Sequence, residues 1–329
     1  MELLLGIIKF ILVSVVIQLS IATVLILSGK GKNPNEGKGG LNFTELFFDY
    51  SNLPSLSHFI ARDGAKLDYR YYSADSEKVI ILVHGSGWHS QYFLPLAEYI
   101  SKGNNAHVYT PDLRGHGQTP ENRGDVRYIN QFEDDLADFI AKIRIAHPTA
   151  KLIIGGHSSG GGLVIRFAGS QYRYEADAYM LLSPFIKYNA STVRKNSGGW
   201  AYPYSRRIAG LTILNTLGIH WFDYLTAIEF NMPKEAWDGT ETLAYSHRLN
   251  TAYSPRNYKK DLTVIKVPFI VLVGTKDESF FANEFEPLIS KYTKVQVELI
   301  QDVTHMGVVV GNEVRPIVKH WLEGLDANI

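Results

Sequence analysis

The chain reads as an α/β protein: a mostly parallel, doubly wound sheet carrying a helical cap insertion and preceded by an N-terminal transmembrane helix. Three observations predict this. Apolar runs recur at 79–83, 106–110, 151–155, 178–182, 268–273 and 295–300, and runs without strict alternation suit strands covered on both faces. Helical stretches separate several of these runs, the order that winds a parallel sheet. The first 28 residues are apolar as no later segment is.

That first segment comes first in order. From Phe10 to Ser28 there is no charge, and 19 residues span about 28 Å as a helix, close to the thickness of a hydrocarbon core. With Leu3 to Ile8 added and Lys9 snorkelling, residues 1–28 suit a single-pass membrane anchor. A cleaved signal peptide is the rival, but Leu25-Ile26-Leu27-Ser28 offers no clear small-x-small cleavage site. Lys30, Lys32 and Lys38 lean the body toward the cytoplasm while Lys9 opposes them, so orientation stays open. Residues 29–40 are rich in glycine and lysine and read as a flexible linker. The domain proper is 41–329.

Its opening is antiparallel: Arg62-Asp63-Gly64-Ala65 between two strand-like runs is a hairpin signal. Ile129, Phe132, Leu136, Phe139, Ile140 and Ile143 recur at helical spacing, with Glu133, Asp134, Asp135 and Asp138 assigned to the opposite face. Asn130 with Glu133 three residues on resembles a capping box. Val314, Ile317, Val318, Trp321, Leu322 and Leu325 mark the last helix. Between about 186 and 260 no clean strand is legible, yet aromatic residues are frequent. A mostly helical cap over the sheet's C-terminal edge is expected there, some of its rings lining an apolar pocket.

Composition narrows the function. With 33 basic and 33 acidic residues in 329, no net field draws nucleic acid. The chain has no cysteine, which removes disulfides, cysteine nucleophiles and thiolate metal sites. A metal reading of His84, His89 and His116 lacks helical spacing and carboxylate partners. No cofactor is indicated.

Chemistry is written instead in Gly156-His157-Ser158-Ser159-Gly160, which follows an apolar run and opens a helix-forming stretch. A serine on such a turn stands clear of its neighbours above a helix N-terminus. The flanking glycines are there because a Cβ would collide across the turn. A serine hydroxyl needs a base, and the base an orienting acid. Asp277 lies just past the fifth apolar run and His305 just past the sixth. At the carboxyl edge of a parallel sheet all three would meet. Glu278 and Asp302 are weaker candidates for the acid, and His157 a weak one for the base. For an oxyanion, the backbone N–H groups of Ser159 and Ser86 are the candidate donors, the latter from His84-Gly85-Ser86-Gly87. Trp88, beside that loop, is a candidate substrate contact.

These residues resemble a known family, serine hydrolases of the α/β-hydrolase fold in the monoacylglycerol lipase and lysophospholipase-like branch. The matching segments are His84 to Gly87, Asp112-Leu113-Arg114-Gly115-His116-Gly117, Gly156 to Gly160, Gly274 to Asp277, and His305. The resemblance implies hydrolysis of carboxylic esters, often lipid-derived, without metal or cofactor. Two departures stand out: Ser86-Gly87-Trp88 replaces the family's usual continuation after His-Gly, and the cap matches no known pattern. Asp112, Arg114 and His116 are expected to tie down their loop. Amide hydrolysis, perhydrolysis and an inactive binding protein on the same fold are the alternatives.

Overall fold

The computed structural model describes residues 1–29 and 40–326, so most of the expected linker lies outside the described residues. Helix α1 (Glu2–Ser28) is long and apolar enough to cross a membrane. The strands are β1 (Ser57–Ile60), β2 (Lys66–Tyr72), β3 (Lys78–Val83), β4 (His107–Pro111), β5 (Lys151–His157), β6 (Ala178–Leu182), β7 (Ala201–Pro203), β8 (Thr226–Phe230), β9 (Ala244–Ser246), β10 (Phe269–Gly274) and β11 (Gln296–Ile300). The helices after α1 are α2 (Leu94–Lys102), α3 (Gln131–Ala146), α4 (Ser159–Ala168), α5 (Ser205–Thr216), α6 (His247–Tyr253), α7 (Tyr258–Thr263), α8 (Phe285–Ile289), α9 (Gly307–Val310) and α10 (Val314–Gly324).

Eight strands form one sheet in the order β1-β2-β4-β3-β5-β6-β10-β11. It is parallel from β4 to β11, with β2 antiparallel to both β1 and β4. Every residue of β3, β6 and β10 is buried, as the unbroken apolar runs require of strands covered on both faces. The β1–β2 turn forms as expected, with Gly64 at φ +82°. Register matters at the centre: Val83 lies beside Gly156, and His157 beside Leu182. The end of β5 is therefore flanked on both sides by strand ends, and the turn that follows has a fixed floor.

Helix α3 buries its apolar stripe, but its polar face differs from expectation. Glu133 and Asp135 are buried, the first paired with Arg166 and Arg256, the second with Arg114. Glu133 is thus drawn inward by two guanidinium groups, and Asn130 accepts from Arg166. Its side chain caps nothing, and the capping-box expectation fails.

The insertion also differs. Besides α5 and α6 it contains β7, β8 and β9, which form a three-stranded antiparallel sheet, so strands that the sequence did not show accompany the cap's helices. Trp200, Phe230 and Tyr245 are buried in it, whereas Trp221, Phe222, Tyr224 and Trp237 are exposed.

Candidate active site

Strand β5 ends in the turn that delivers Ser158, whose φ of 53° and ψ of −120° lie in a region that non-glycine residues enter only under constraint. The constraint is visible in its neighbours. A Cβ on Gly156 would stand 2.6 Å from the Gly160 carbonyl, and one on Gly160 2.3 Å from the Val83 carbonyl oxygen. Both glycines are sterically required. Ser158 is buried to 8% exposure and precedes α4, so the first turn of that helix directs its N–H groups at the site.

Asp277 and His305 meet where the strand order places them. His305 Nδ1 lies 2.9 Å from Asp277 Oδ2, and Asp277 Oδ1 accepts from the backbone N–H groups of Ser279 and Phe280 at 2.8 and 2.9 Å. Burial pushes the Asp277 carboxyl up, but the His305 imidazole and these hydrogen bonds outweigh it and hold it below its ordinary value. It is an anion at neutral pH. Ser158 and His305 line one small cavity together. Of the two other acids, Asp302 pairs with Lys276 at the surface. Glu278 accepts from the His305 N–H at 2.8 Å and the Asn42 N–H at 3.1 Å. It braces the histidine's backbone and leaves the ring to Asp277.

The loop after β3 carries Ser86, the candidate oxyanion donor. Gly85 N–H donates to Tyr92 Oη at 2.7 Å and Gly87 N–H to Tyr245 Oη at 2.8 Å. The Ser86 N–H between them, and that of Ser159 at the start of α4, have no partner among the described residues. Ser86 and Ser159 adjoin, their hydroxyls 3.3 Å apart. The two tyrosines escaped sequence reading, yet each ends a relay. His157 Nε2 lies 3.1 Å from the His305 carbonyl, which can only accept, so that nitrogen carries the proton and Nδ1 accepts from Tyr92 at 3.1 Å. By the same argument Tyr245 donates to His116 Nε2 at 2.6 Å while His116 Nδ1 donates to the Arg114 carbonyl. Burial first, then the charge of a neighbouring imidazole, holds His157 and His116 well below their ordinary value. Both are neutral spacers.

His84 shapes its loop, one ring nitrogen against the Gly85 carbonyl and the other accepting from Leu113 N–H at 3.0 Å. Asp112 accepts from Ser90 N–H, and Arg114 pairs with Asp135 and Asp63. Trp88 is buried, its indole N–H reaching Asp238 and Thr240, and it faces the small cavity shared by Ser158 and His305. The other wall of that cavity is Leu41, Phe43 and Leu46, from the segment that follows the linker. A second cavity over Ser158, of about 50 Å³, is lined by Phe185, Trp200, Ile228, Phe230, Tyr253 and Phe280 among others, with no charged side chain.

A family model described as serine aminopeptidase, S33, matches residues 74–306. The chain is 29% identical over 138 residues to the monoacylglycerol lipase of Mycolicibacterium smegmatis, covering 41% of this chain and 49% of that one. It is 31% identical over 150 residues to the monoglyceride lipase of Mus musculus, covering 44% and 48%. The alignments thus span about half the length of these curated relatives. Among solved structures, the monoacylglycerol lipase of Paleococcus ferrophilus superimposes with a TM-score of 0.63 at 20% identity, over 79% of this chain and 100% of that one. A soluble variant of the Saccharomyces cerevisiae monoglyceride lipase gives 0.67 at 18% identity, over 85% and 98%. These likenesses show that the two share the α/β-hydrolase fold with this chain.

Proposed function

The chain belongs to the serine aminopeptidase, S33, family of α/β hydrolases, and from that premise we propose that it cleaves carboxylic esters of lipid origin, monoacylglycerols or lysophospholipids, through an acyl-enzyme. One observation carries the reading: Ser158 on its strained turn, beside the Asp277–His305 pair, opens into an uncharged aromatic cavity. The lipase names of its relatives support the substrate class.

Ser158 Oγ attacks the ester carbonyl while His305 takes its proton, and the N–H groups of Ser86 and Ser159 stabilise the oxyanion. The bond to the alcohol breaks as His305 returns that proton to the leaving oxygen. Water repeats the two steps and frees the acid. The Asp277 anion holds the ring in its productive tautomer and stabilises the imidazolium between them. At about 50 Å³ the cavity is far smaller than the roughly 300 Å³ of a typical ligand site. The cap must therefore shift to admit a lipid chain. Helix α1 serves as the membrane anchor of the body.

The family's description favours peptide-bond hydrolysis as a second reading. An aminopeptidase needs a carboxylate to hold the substrate ammonium, and the cavity lining offers none among the described residues. Fluorophosphonate labelling lost in Ser158→Ala, together with turnover of monoacylglycerols but not of aminoacyl p-nitroanilides, is the expected result. Labelling that survives Ser158→Ala would overturn the mechanism, and anilide turnover without ester turnover would overturn the substrate class.

A further inference from the structure

Helix α5 of the cap and helix α1 form a packed antiparallel pair. A Cβ added to Gly210 of α5 would stand 2.7 Å from the Ala22 carbonyl oxygen, and one added to Gly29 would stand 2.4 Å from the Arg207 backbone nitrogen. As numbers rise along α5 they fall along α1, so α5 runs back beside α1 from its C-terminal end. Contacts this close, made by small residues, are how helices associate in lipid, where no hydrophobic force brings them together.

The polar groups of the pair agree. Ser20 and Thr23 of α1, and Thr212 and Thr216 of α5, donate their hydroxyls to carbonyls three or four residues earlier in their own helices, at 2.7 to 2.9 Å. Such bonds leave no hydroxyl proton that needs water. The loop after α5 is turned inside out by the standard of a soluble surface. Trp221 is 82% exposed and Tyr224 57%, while Asp223 between them is 3% exposed, held by His220 and Asn215. Rings outward and carboxylate inward suit a boundary with lipid, where indole and phenol groups concentrate. At the other end of α5, the Arg207 backbone adjoins Gly29, while the Arg207 guanidinium turns away into the cap and donates to the Thr226 carbonyl at 2.8 Å.

We propose that α5 and the loop 217–225 enter the lipid leaflet from which α1 emerges, so that the bilayer's hydrocarbon is the partner of this face. The inference rests on the anchor reading of α1 and deepens the lipid-ester reading. Helix α5 packs on β8, whose Ile228 and Phe230 line the cavity over Ser158. A leaflet that holds α5 thus borders the wall that must move to admit substrate.

The absence of cysteine makes the test direct. In the full-length chain in phosphatidylcholine nanodiscs, Val16→Cys, Trp221→Cys, Phe222→Cys and Ile145→Cys each receive one environment-sensitive fluorophore. Brominated lipid is expected to quench the labels at 16, 221 and 222, and iodide to quench 221 and 222 at least threefold less than 145, an exposed site on α3. Iodide quenching at 221 and 222 equal to that at 145 overturns the proposal, whether or not 16 meets lipid. Fluorophosphonate labelling of the same samples reports separately on Ser158. Normal labelling with aqueous 221 and 222 defeats the membrane contact alone, whereas lipid-quenched 221 and 222 without labelling defeats the hydrolase reading alone.

Discussion

Tyr92 donates to Nδ1 of His157 at 3.1 Å while accepting the Gly85 N–H at 2.7 Å. Through His157 Nε2 and the His305 carbonyl, this fixes the loop of the candidate oxyanion donor to the loop that presents the candidate base. Two loops from distant parts of the chain thereby share one buried joint.

Tyr92→Phe removes the joint and leaves a buried N–H and a buried imidazole nitrogen unsatisfied, at about 1–3 kcal/mol. A fall in kcat of about tenfold on a short p-nitrophenyl ester, with KM nearly unchanged, is expected, since the loop serves the oxyanion more than the ground state. Unchanged kcat would show that the loop needs no such brace.

Asp277→Asn should lower kcat by roughly 10³- to 10⁴-fold, as loss of the orienting anion does in other serine hydrolase triads. Asp302→Asn should leave the rate within twofold because its partner is surface Lys276. Equal losses in both would remove the assignment of the acid.

Glu278→Gln tests a positioning role. The residue touches the His305 and Asn42 backbones at 2.8 and 3.1 Å and no reacting atom. A loss of about fivefold in kcat is expected, with a downward shift in the acid limb of the pH–rate profile, because a nearby anion that favours the imidazolium is neutralised. A lower melting temperature with an unmoved profile would make Glu278 structural only.

The buried histidines set a pH dependence. His84 is lowered from 6.5 to about 4, chiefly by burial, and His116 and His157 fall well below 6.5 for the same leading cause. Unfolding lets each take up a proton that the folded state refuses, so their contribution is complete above pH 6.5 and fades toward pH 4. Calorimetry should show the melting temperature falling steadily across that window. A flat profile from pH 7 to 4.5 would contradict it.

How much of this was legible depends on the distance over which each feature is decided. Ser158, Asp277 and His305 sit one turn beyond apolar runs, so reading the runs places the residues. Strands such as Ala201–Pro203 and Ala244–Ser246 are too short to show a period, which hid the cap's sheet. Glu133 followed helix chemistry only until two arginines from elsewhere in the fold claimed it. Tyr92, Tyr245 and Glu278 each hold the site through two contacts, reaching across 7 to 236 positions of sequence; no local pattern announces those.

Leu41, Phe43 and Leu46 have a consequence of their own. They wall the cavity at Ser158 and His305, and Asn42 and Glu45 hydrogen-bond Glu278 and Thr304 beside the histidine. The segment that follows residues 30–39 in sequence thus reaches the candidate active site itself. A protease cutting between residues 30 and 39 would leave the body with that wall complete, whereas a cut a few residues later, after Leu46, would take the wall and the brace of His305 with it.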